Sequence, residues 1–406
     1  MSEDRRVVIT GMGVVSALGI GKEALLRGIT SASSGITPTT RRIGKFETTV
    51  PLGVVPDYRP LEYFTDDELL LRDPYAQYAI IAAREAMEEA GLPDRSFVGE
   101  RTAIVFGTGA GGEYAREEAA HRFLAEGKPR CNPTLVPRTN HQASVGFVSM
   151  AYGIRGPAII VSSGCASSNH AIAQAYLMVK HGVADRALAG GSDANAVYTN
   201  IKAFDALRIL APDTCRPFSR DRRGMVMGEG GGVVVLETLE MARARGAIIL
   251  AELAGVGMSA DAGDIVHPTA TGPAQAMRTA LSEARLNPED IDYINAHGTG
   301  TDANDREEIR AVKLAFGAHA QKLAISSTKS LHGHALGGVG GIELVATLLA
   351  MRENVLPPTV NYLGPDPDCD LDVVPNEARP KPIRATLSNA FAFGGLNAVL
   401  ALRKMP

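Results

Sequence analysis

Residues 157–180 read PAIIVSSGCASSNHAIAQAYLMVK. The opening run PAIIV is short, apolar and rich in β-branched residues, which is typical of a strand, and the stretch after the SSG turn has the pattern of a helix. Cys165 therefore follows Gly164 at the junction between a strand and a helix. Backbone amides and the helix dipole can stabilise a thiolate there, so we interpret Cys165 as a nucleophile. Most single cysteines are inert buried apolar residues, and this interpretation needs further support.

A second strand-to-helix unit lies in residues 323–351, where LAISS leads through TKSLHGHALGG into VGGIELVATLLAM. Continuous apolar strands are predicted at residues 231–237 and 397–403, near the end of each half of the chain. The same theme therefore occurs twice, which indicates a tandem duplication.

Helical spacing of apolar residues occurs between these strands, for example over residues 75–90 and 272–284. Alternating strands and helices predict an α/β fold. We divide the chain into residues 1–254, which carry the cysteine, and residues 255–406. The alternative is an unrelated two-domain α/β protein.

Composition excludes several classes of function. The 406 residues have a net charge of −4, a pI near 6.2 and a mean hydropathy of +0.01. No broad positive field is available for nucleic acid or an anionic membrane, and apolar runs such as residues 7–20 are too short and glycine-rich to span a bilayer. The four cysteines are far apart without a CxxC pair, so we expect no disulfide framework, no metal site of zinc type and a cytoplasmic location.

Two histidines and a glycine pair add to this pattern. His297 lies in NAHGTGT and His334 in SLHGHALGG, so glycine-rich turns carry both imidazoles after predicted strands. Neutral imidazoles there could donate hydrogen bonds to a thioester carbonyl as it becomes an enolate, although each alone is more often a structural residue. Backbone amides in NAFAFGGLN, residues 389–397, could form an oxyanion hole or an ordinary tight turn.

Four motifs occur in one order: VSSGCASS, NAHGTGTDANDREE, STKSLHGHALGG and NAFAFGGLN. With RRVVITGMGVVSALG at the start and RPFSRDRRGMVMGEGGG in the middle, the chain closely resembles the elongating type II β-ketoacyl-[acyl carrier protein] synthases, including the type II polyketide ketosynthases, over nearly its full length. The resemblance implies a thiolase-like layered αβαβα fold built from two duplicated halves, and a dimer.

The implied reaction is a decarboxylative Claisen condensation. Cys165 would accept an acyl group from a carrier protein, with its own amide and that of Phe393 as the oxyanion hole. His297 and His334 would bind the carbonyl of a malonyl-[acyl carrier protein], whose loss of carbon dioxide leaves an enolate that attacks the acyl group. The product would be a fatty acid or polyketide chain that is two carbons longer.

The resemblance also assigns supporting residues. Lys329 and Glu343 would form an ion pair that organises the site, and Asp305 and Glu308 would support it from behind. Residues implied in substrate binding are Thr299, Thr301 and Thr269 for the phosphopantetheine arm, Phe204 and Phe393 as an aromatic gate, and Ala110 at the floor of the acyl pocket. Residues matching a monovalent-cation site of some members are Asn295, Glu343, Ser388 and Asn389. No other cofactor is implied.

Several positions depart from the family pattern. GCASS replaces ACSSS, AFAFGGLN replaces SFGFGGTN, and His332 stands where threonine is common. Ala392 in place of glycine should stiffen the gate because it disfavours positive φ, and Leu396 replaces a threonine. Ala110 stands where many members have a larger residue, which suggests a long or polyunsaturated acyl chain as the substrate.

Alternative functions fit the sequence less well. A nucleotide-binding dehydrogenase is disfavoured because neither glycine run gives GxGxxG followed by a helix and an acid about twenty residues later. A thiolase or an initiating synthase would share the fold, but the two histidines and HGTGT favour an elongating enzyme. Cys165 argues against a non-catalytic chain-length subunit. The sequence leaves open a homodimer or a heterodimer with such a subunit, the cognate carrier protein, and fatty acid or polyketide as the pathway.

Overall fold

The computed structural model describes residues 5–92 and 99–405. The strands are β1 Val7–Ser16, β2 Gly19–Ile20, β3 Thr37–Ile43, β4 Phe46–Leu52, β5 Thr102–Gly107, β6 Ala158–Val161, β7 Arg186–Ala194, β8 Glu229–Thr238, β9 Ala251–Ala260, β10 Tyr293–Asn295, β11 Ala324–Ser326, β12 Val355–Leu356, β13 Arg379–Pro380, β14 Ala385–Ala392 and β15 Leu396–Arg403. The α-helices are α1 Lys22–Thr30, α2 Asp66–Leu69, α3 Pro74–Glu89, α4 Glu113–Ala120, α5 Leu135–Thr139, α6 Ala143–Tyr152, α7 Ser167–Lys180, α8 Tyr198–Ala206, α9 Leu239–Ala244, α10 Thr271–Ala284, α11 Asp302–Phe316, α12 Lys329–His332 and α13 Val339–Glu353.

The sheet repeats one strand arrangement in both halves. In the first half β1, β8 and β7 are antiparallel neighbours, and β5 and β6 continue in parallel beyond β7. In the second half β9, β15 and β14 are antiparallel neighbours, and β10 and β11 continue in parallel beyond β14. Pairing of β1 with β9 joins the two halves. This correspondence agrees with the predicted duplication.

The helices form layers on both sides of each half-sheet. Helix α3 packs on β1, β8 and β7, and α10 packs on β9 and β15. Between the half-sheets, α7 and α13 contact each other, with α7 packed on β5 and β7 and α13 packed on β8 and β14. The predicted layered αβαβα architecture is therefore confirmed.

Local sequence explains this packing. Helix α13 is apolar around most of its circumference, and all its residues from Val339 to Met351 are buried between layers. Two glycines let α3 approach β1, because a Cβ atom built at Gly11 or Gly13 would lie 2.1 Å from a carbonyl oxygen of that helix. The two glycines within the apolar sequence of β1 therefore allow α3 to pack closely on this fully buried strand.

Strand β9 runs through residue 254, so the predicted division of the chain lies inside a strand. The division itself stays a prediction. Among the described residues, no helix combines the length and the apolar character needed to cross a membrane.

Candidate active site

Three reactive side chains from distant parts of the sequence meet near the ends of β6, β10 and β11. The Sγ atom of Cys165 and one ring nitrogen each of His297 and His334 lie within 4.8 Å of one another. The two imidazole rings have centroids 5.4 Å apart and are inclined at 82°. Cys165 follows β6 and His334 follows β11, and these two strands are equivalent in the duplicated halves.

Cys165 lies in a tight turn before α7. Gly164 has φ of 57°, in the left-handed region that favours glycine. The hydroxyl of Ser167 donates to the carbonyl oxygen of Gly164 at 2.6 Å and accepts from the amide of Ser163 at 2.9 Å. These bonds fix the turn that presents the half-buried cysteine.

The thiol of Cys165 is protonated at neutral pH in the free protein. Burial raises its pKa to about 12, and the positive charge of Lys329 opposes that rise only in part. We expected the start of the helix to favour the thiolate, and here burial outweighs that effect. The reason is that removal of water disfavours the charged form.

Lys329 organises His297. Its Nζ atom donates to the carbonyl oxygen of His297 at 2.5 Å and lies 3.4 Å from Nδ1 of the same residue. It also donates to Oε1 of Glu343 at 2.6 Å, and both charged side chains are completely buried. An ammonium group can only donate, so Nδ1 of His297 is the acceptor in this contact and its ring proton lies on Nε2.

Both active-site imidazoles are neutral at physiological pH. Burial lowers the pKa of His297 well below its ordinary value, and Lys329 and His334 lower it further. The pKa of His334 is lowered in the same way by burial, Lys329 and His332. Within the described ranges neither buried ring nitrogen of His334 has a hydrogen-bond partner. Because such a group is costly when unpaired, its partner must come from the cavity, as either water or a bound ligand.

Two carboxylates of α11 hold the turn that carries His297. Glu308 accepts from the amides of His297 at 2.8 Å and Gly298 at 2.7 Å. Asp305 accepts from the amide of Gly300 at 3.2 Å. Burial raises the pKa of both acids, while these hydrogen bonds lower it. Both acids therefore act on the backbone of the turn that carries His297.

A cavity with about 890 Å³ of empty space, part of it open to solvent, leads to these groups. Predicted residues on its wall are Cys165, His297, His334, Phe204, Phe393, Thr269, Thr299, Thr301 and Glu308. The hydroxyl oxygens of Thr299 and Thr301 lie 2.8 Å apart. An apolar channel with a few hydroxyl groups suits a narrow amphiphilic substrate.

The gate loop, residues 393–395, follows β14. The end of β14 lies against the turn that carries Cys165. Phe393 is 45% exposed, and Gly394 and Gly395 have φ of 83° and 67°. Ala392 has no positive φ, because it is still part of the strand, so alanine is compatible with its conformation. A Cβ atom built at Gly164 would lie 3.3 Å from the Cβ atom of Ala392. Glycine thus allows the two segments to approach.

Ala110 does not line this cavity. Its turn is held by Asp193, which accepts from the hydroxyl of Thr108 at 2.6 Å and from the amide of Gly109 at 2.7 Å. A Cβ atom built at Gly109 would lie 3.6 Å from the Cβ atom of Leu336, which packs in the same apolar cluster as Cys165. Ala110 therefore follows a turn that lies behind this cluster.

Sequence reasoning missed several cavity residues. The ring of Phe391 lies 5.8 Å from that of His297, centroid to centroid. Phe391 precedes Phe393 by two positions near the end of β14. Side chains two positions apart on a strand point to the same face of the sheet, so this spacing could have indicated that both rings face the cavity. Ile265 and Val266 also line the cavity, from the loop between β9 and α10. No local pattern could place that loop at the site.

Four buried oxygen atoms of the residues implied in the cation site have no hydrogen-bond partner within residues 5–92 and 99–405. They are Oδ1 of Asn295, Oε2 of Glu343, Oγ of Ser388 and Oδ1 of Asn389. Asn295 and Ser388 lie opposite each other on β10 and β14. A set of carboxylate, amide and hydroxyl oxygens is suited to a hard cation, so the residues present fit the cation site implied by the resemblance.

Comparison with known proteins agrees with this geometry. Residues 4–242 match the family described as Beta-ketoacyl synthase, N-terminal domain, and residues 250–363 match Beta-ketoacyl synthase, C-terminal domain. The chain is 48% identical to Nodulation protein E of Rhizobium sp. (strain N33), over 99% of this chain and 100% of that protein.

Two further relatives extend the comparison. 3-oxoacyl-[acyl-carrier-protein] synthase 2 of Staphylococcus aureus (strain COL) is 38% identical over 100% of this chain and 99% of that protein. The solved structure of the ishigamide ketosynthase/chain length factor superposes with a TM-score of 0.94 at 37% identity, covering 99% of this chain and 100% of that one. The chain belongs to the β-ketoacyl synthase family, the condensing enzymes of fatty acid and polyketide synthesis.

Proposed function

We propose that the protein condenses an acyl group on Cys165 with a malonyl group on an acyl carrier protein, releasing carbon dioxide and extending the chain by two carbons. The observation that carries this proposal is the thiol and the two neutral imidazoles within 4.8 Å of one another. The buried ring of His334 has no partner in the described part of the chain and is available to bind a ligand from the cavity.

The first half-reaction is acyl transfer. The sulfur of Cys165 attacks the carbonyl carbon of the incoming thioester, the bond to the pantetheine sulfur breaks, and the proton of the thiol passes to that sulfur. The amides of Cys165 and Phe393 would stabilise the oxyanion. The free thiol has a pKa of about 12, so Cys165 would lose its proton as it attacks the thioester. The mechanism does not require a thiolate in the free enzyme.

The second half-reaction is decarboxylation and condensation. The Nε2–H of His297 and a ring N–H of His334 would donate to the carbonyl oxygen of the malonyl thioester. Carbon dioxide leaves with cleavage of a carbon–carbon bond, whose electron pair forms the enolate. The enolate carbon then attacks the acyl carbonyl, and the sulfur of Cys165 leaves and regains a proton. Neutral imidazoles suit this role because developing negative charge strengthens their hydrogen bonds.

Lys329 and the four unpartnered oxygens would keep the two histidines in position for this reaction. The ammonium of Lys329 fixes the tautomer of His297 and is neutralised by Glu343. We propose that Asn295, Glu343, Ser388 and Asn389 hold a monovalent cation, which would satisfy the buried oxygens and balance charge behind the histidines.

An acyl carrier protein is proposed as the substrate carrier, with the enzyme in the cytoplasm. The name of the Staphylococcus aureus relative includes this carrier. Thr269, Thr299 and Thr301 line the cavity and would hydrogen-bond the amides of a phosphopantetheine arm. Phe204 and Phe393 would gate the passage to Cys165.

A long or polyunsaturated acyl chain is proposed as the specialised substrate. The chain would leave Cys165 through the cluster that contains Leu336 and end near Ala110. The small side chain of Ala110 supports this proposal because it leaves more room than a larger aliphatic residue. Elongation of short saturated chains alone would contradict it.

Assembly as a dimer is proposed through the edge strand β6. This strand lies at the end of the sheet and its Ile159 is 37% exposed. Nearby, Met150 of α6 is 71% exposed. An apolar edge strand is open to pairing with a second chain. A homodimer and a complex with a chain-length subunit both fit, and the ishigamide relative is a ketosynthase/chain length factor.

Intact mass spectrometry tests the reaction. The protein is mixed with acyl carrier proteins that bear saturated or polyunsaturated chains, and malonyl carrier protein is added afterwards. We expect an acyl adduct that then disappears with release of a β-keto product. Cys165→Ala should abolish the adduct, whereas Cys369→Ala should retain it, since Cys369 is buried and does not line the cavity. An adduct that survives Cys165→Ala would overturn the assignment.

A further inference from the structure

His332 lies beside the active site without lining its cavity. Its side chain is buried, with 1% of the residue exposed. Its Nδ1 atom lies 2.8 Å from the carbonyl oxygen of Gly333, and its Nε2 atom lies 3.0 Å from the hydroxyl oxygen of Thr328. Both ring nitrogens are thus engaged within the chain, in contrast to those of His334.

These contacts define the tautomer of His332. A carbonyl oxygen can only accept, so the proton of the ring lies on Nδ1. Burial, together with Lys329, lowers the pKa of His332 to about 3, and the imidazole is therefore neutral. Its Nε2 atom then accepts a hydrogen bond from the hydroxyl of Thr328.

The two bonds close the segment that presents both Lys329 and His334. Thr328 directly precedes Lys329, and Gly333 directly precedes His334. The imidazole therefore ties together the two ends of the short helix α12. Gly333 has φ of 73°, a conformation that favours glycine, at the point where the imidazole holds its carbonyl.

His334 depends on this backbone for its orientation. Its amide donates to the carbonyl oxygen of Val226 at 2.7 Å, and its carbonyl oxygen accepts from the amide of Gly228 at 2.8 Å. Its ring has no hydrogen-bond partner among the described residues. No hydrogen bond to the side chain therefore fixes the ring, and its direction depends on the backbone conformation that the preceding turn and these two bonds set.

We propose that His332 is a positioning residue that aims His334 at the malonyl thioester by bonding Thr328 to Gly333. Threonine, the usual residue of the family at this position, has one hydroxyl on a short side chain and cannot reproduce the span of an imidazole. The inference rests on the proposed role of His334 in decarboxylation.

Separate measurement of the two half-reactions tests this role. Acylation of Cys165 is followed by mass spectrometry, and condensation of the acylated enzyme is followed by product formation. For His332→Ala we expect condensation to slow by roughly ten- to a hundredfold, because small misplacement of a catalytic group has effects of this size. Acylation should stay within about twofold of the unaltered enzyme, since the turn of Cys165 is held by other bonds.

His332→Asn provides the matched conservative variant. The amide nitrogen of asparagine can occupy a position near that of Nδ1 and donate to Gly333, so this variant should regain most of the lost condensation rate. Thr328→Val removes the bond to Nε2 and retains the imidazole, and should give a smaller loss that is likewise confined to condensation. It also provides a test if His332→Ala does not fold.

The outcomes separate this inference from the proposed function. His334→Ala should slow condensation; if it does not, the proposed role of His334 fails. If His334→Ala slows condensation while folded His332→Ala and Thr328→Val do not, the positioning role is overturned. Equal slowing of acylation and condensation in His332→Ala, without recovery in His332→Asn, would show a purely structural residue and would also overturn it.

Discussion

The Nζ atom of Lys329 lies 2.6 Å from Oε1 of Glu343, and neither side chain has any exposure to solvent. Burial raises the pKa of Glu343, and the positive charge and hydrogen bond of Lys329 oppose that rise. Removing two charges from water is costly, and the attraction between them offsets the cost only while both are present. The same ammonium also donates a hydrogen bond to the carbonyl oxygen of His297, so this ion pair links the stability of the core to the active site.

Glu343→Gln should lower the free energy of unfolding by about 3–5 kcal/mol, because it leaves the ammonium of Lys329 buried without its counter-charge. Denaturant unfolding of both proteins measures the difference. Arg42→Ala is the control: Arg42 and Glu47 form an exposed pair with side chains 71% and 59% exposed, and its loss should change stability by less than about 1 kcal/mol. Equal effects of the two substitutions would contradict this account.

Alkylation of Cys165 by iodoacetamide should rise about tenfold per pH unit up to at least pH 10, because its pKa is about 12 and only the thiolate reacts. Lys329→Met should make it slower at any given pH, since the positive charge that lowers this pKa is removed. Mass spectrometry of the modified peptide gives the rates. A plateau at or below pH 9 would be inconsistent with a protonated thiol.

Acidification below pH 6.5 should destabilise the protein through its three buried histidines. The pKa of His332 is lowered to about 3, and those of His297 and His334 lie well below 6.5. The unfolded chain therefore binds more protons below pH 6.5. For each of these histidines, the free energy of unfolding falls by about 1.4 kcal/mol for every pH unit of acidification. Unfolding titrations should show a smaller slope in His332→Asn than in the parent. An unchanged slope would show that His332 is not buried in its neutral form.

Asp261 should couple the gate loop to the loop between β9 and α10. Its carboxylate accepts from Nδ2 of Asn397 at 2.8 Å and from the amide of Thr269 at 2.9 Å, and its amide donates to the carbonyl of Gly395 at 2.9 Å. Asp261→Ala should raise the KM for carrier-bound substrates several-fold and speed hydrogen exchange in both loops. Asp213→Ala, at an exposed acid that pairs with Arg216, is the control. Faster exchange in one loop alone would argue against coupling.

Ile159→Lys should weaken the dimer proposed for this chain, because a charge on an edge strand opposes pairing. Sedimentation or a sizing column run with the chain alone measures the change. Val183→Lys is the control, since Val183 is 54% exposed in the turn before β7. A parent chain that remains a monomer alone would favour the complex with a chain-length subunit. If the parent chain is a dimer and the Ile159→Lys variant has the same mass in solution, β6 does not form the interface.

Much of the fold follows from local patterns. Helix α3 was predicted over residues 75–90 and spans Pro74–Glu89, and α10 was predicted over 272–284 and spans Thr271–Ala284. The strands at 231–237 and 397–403 lie within β8 and β15. These elements are predictable because burial of one face imposes a period on the sequence.

The site was predictable in part. Motif order indicated Cys165, His297, His334 and Lys329, and the structure places these side chains around one cavity or directly behind it. The position of Ala110 behind Leu336 was not predictable, since it depends on how two separate turns pack. The roles assigned to these residues stay predictions.

By itself the sequence determined the strand-to-helix units, their repetition and the identity of the reactive groups, because these depend on residues that are neighbours along the chain. The tertiary structure alone decided that the thiol of Cys165 is protonated, that the ring of His334 lacks a partner among the described residues, and that His332 bonds Thr328 to Gly333. Protonation and hydrogen bonding depend on which distant groups and how much water surround an atom, and that environment exists only once the layers have packed.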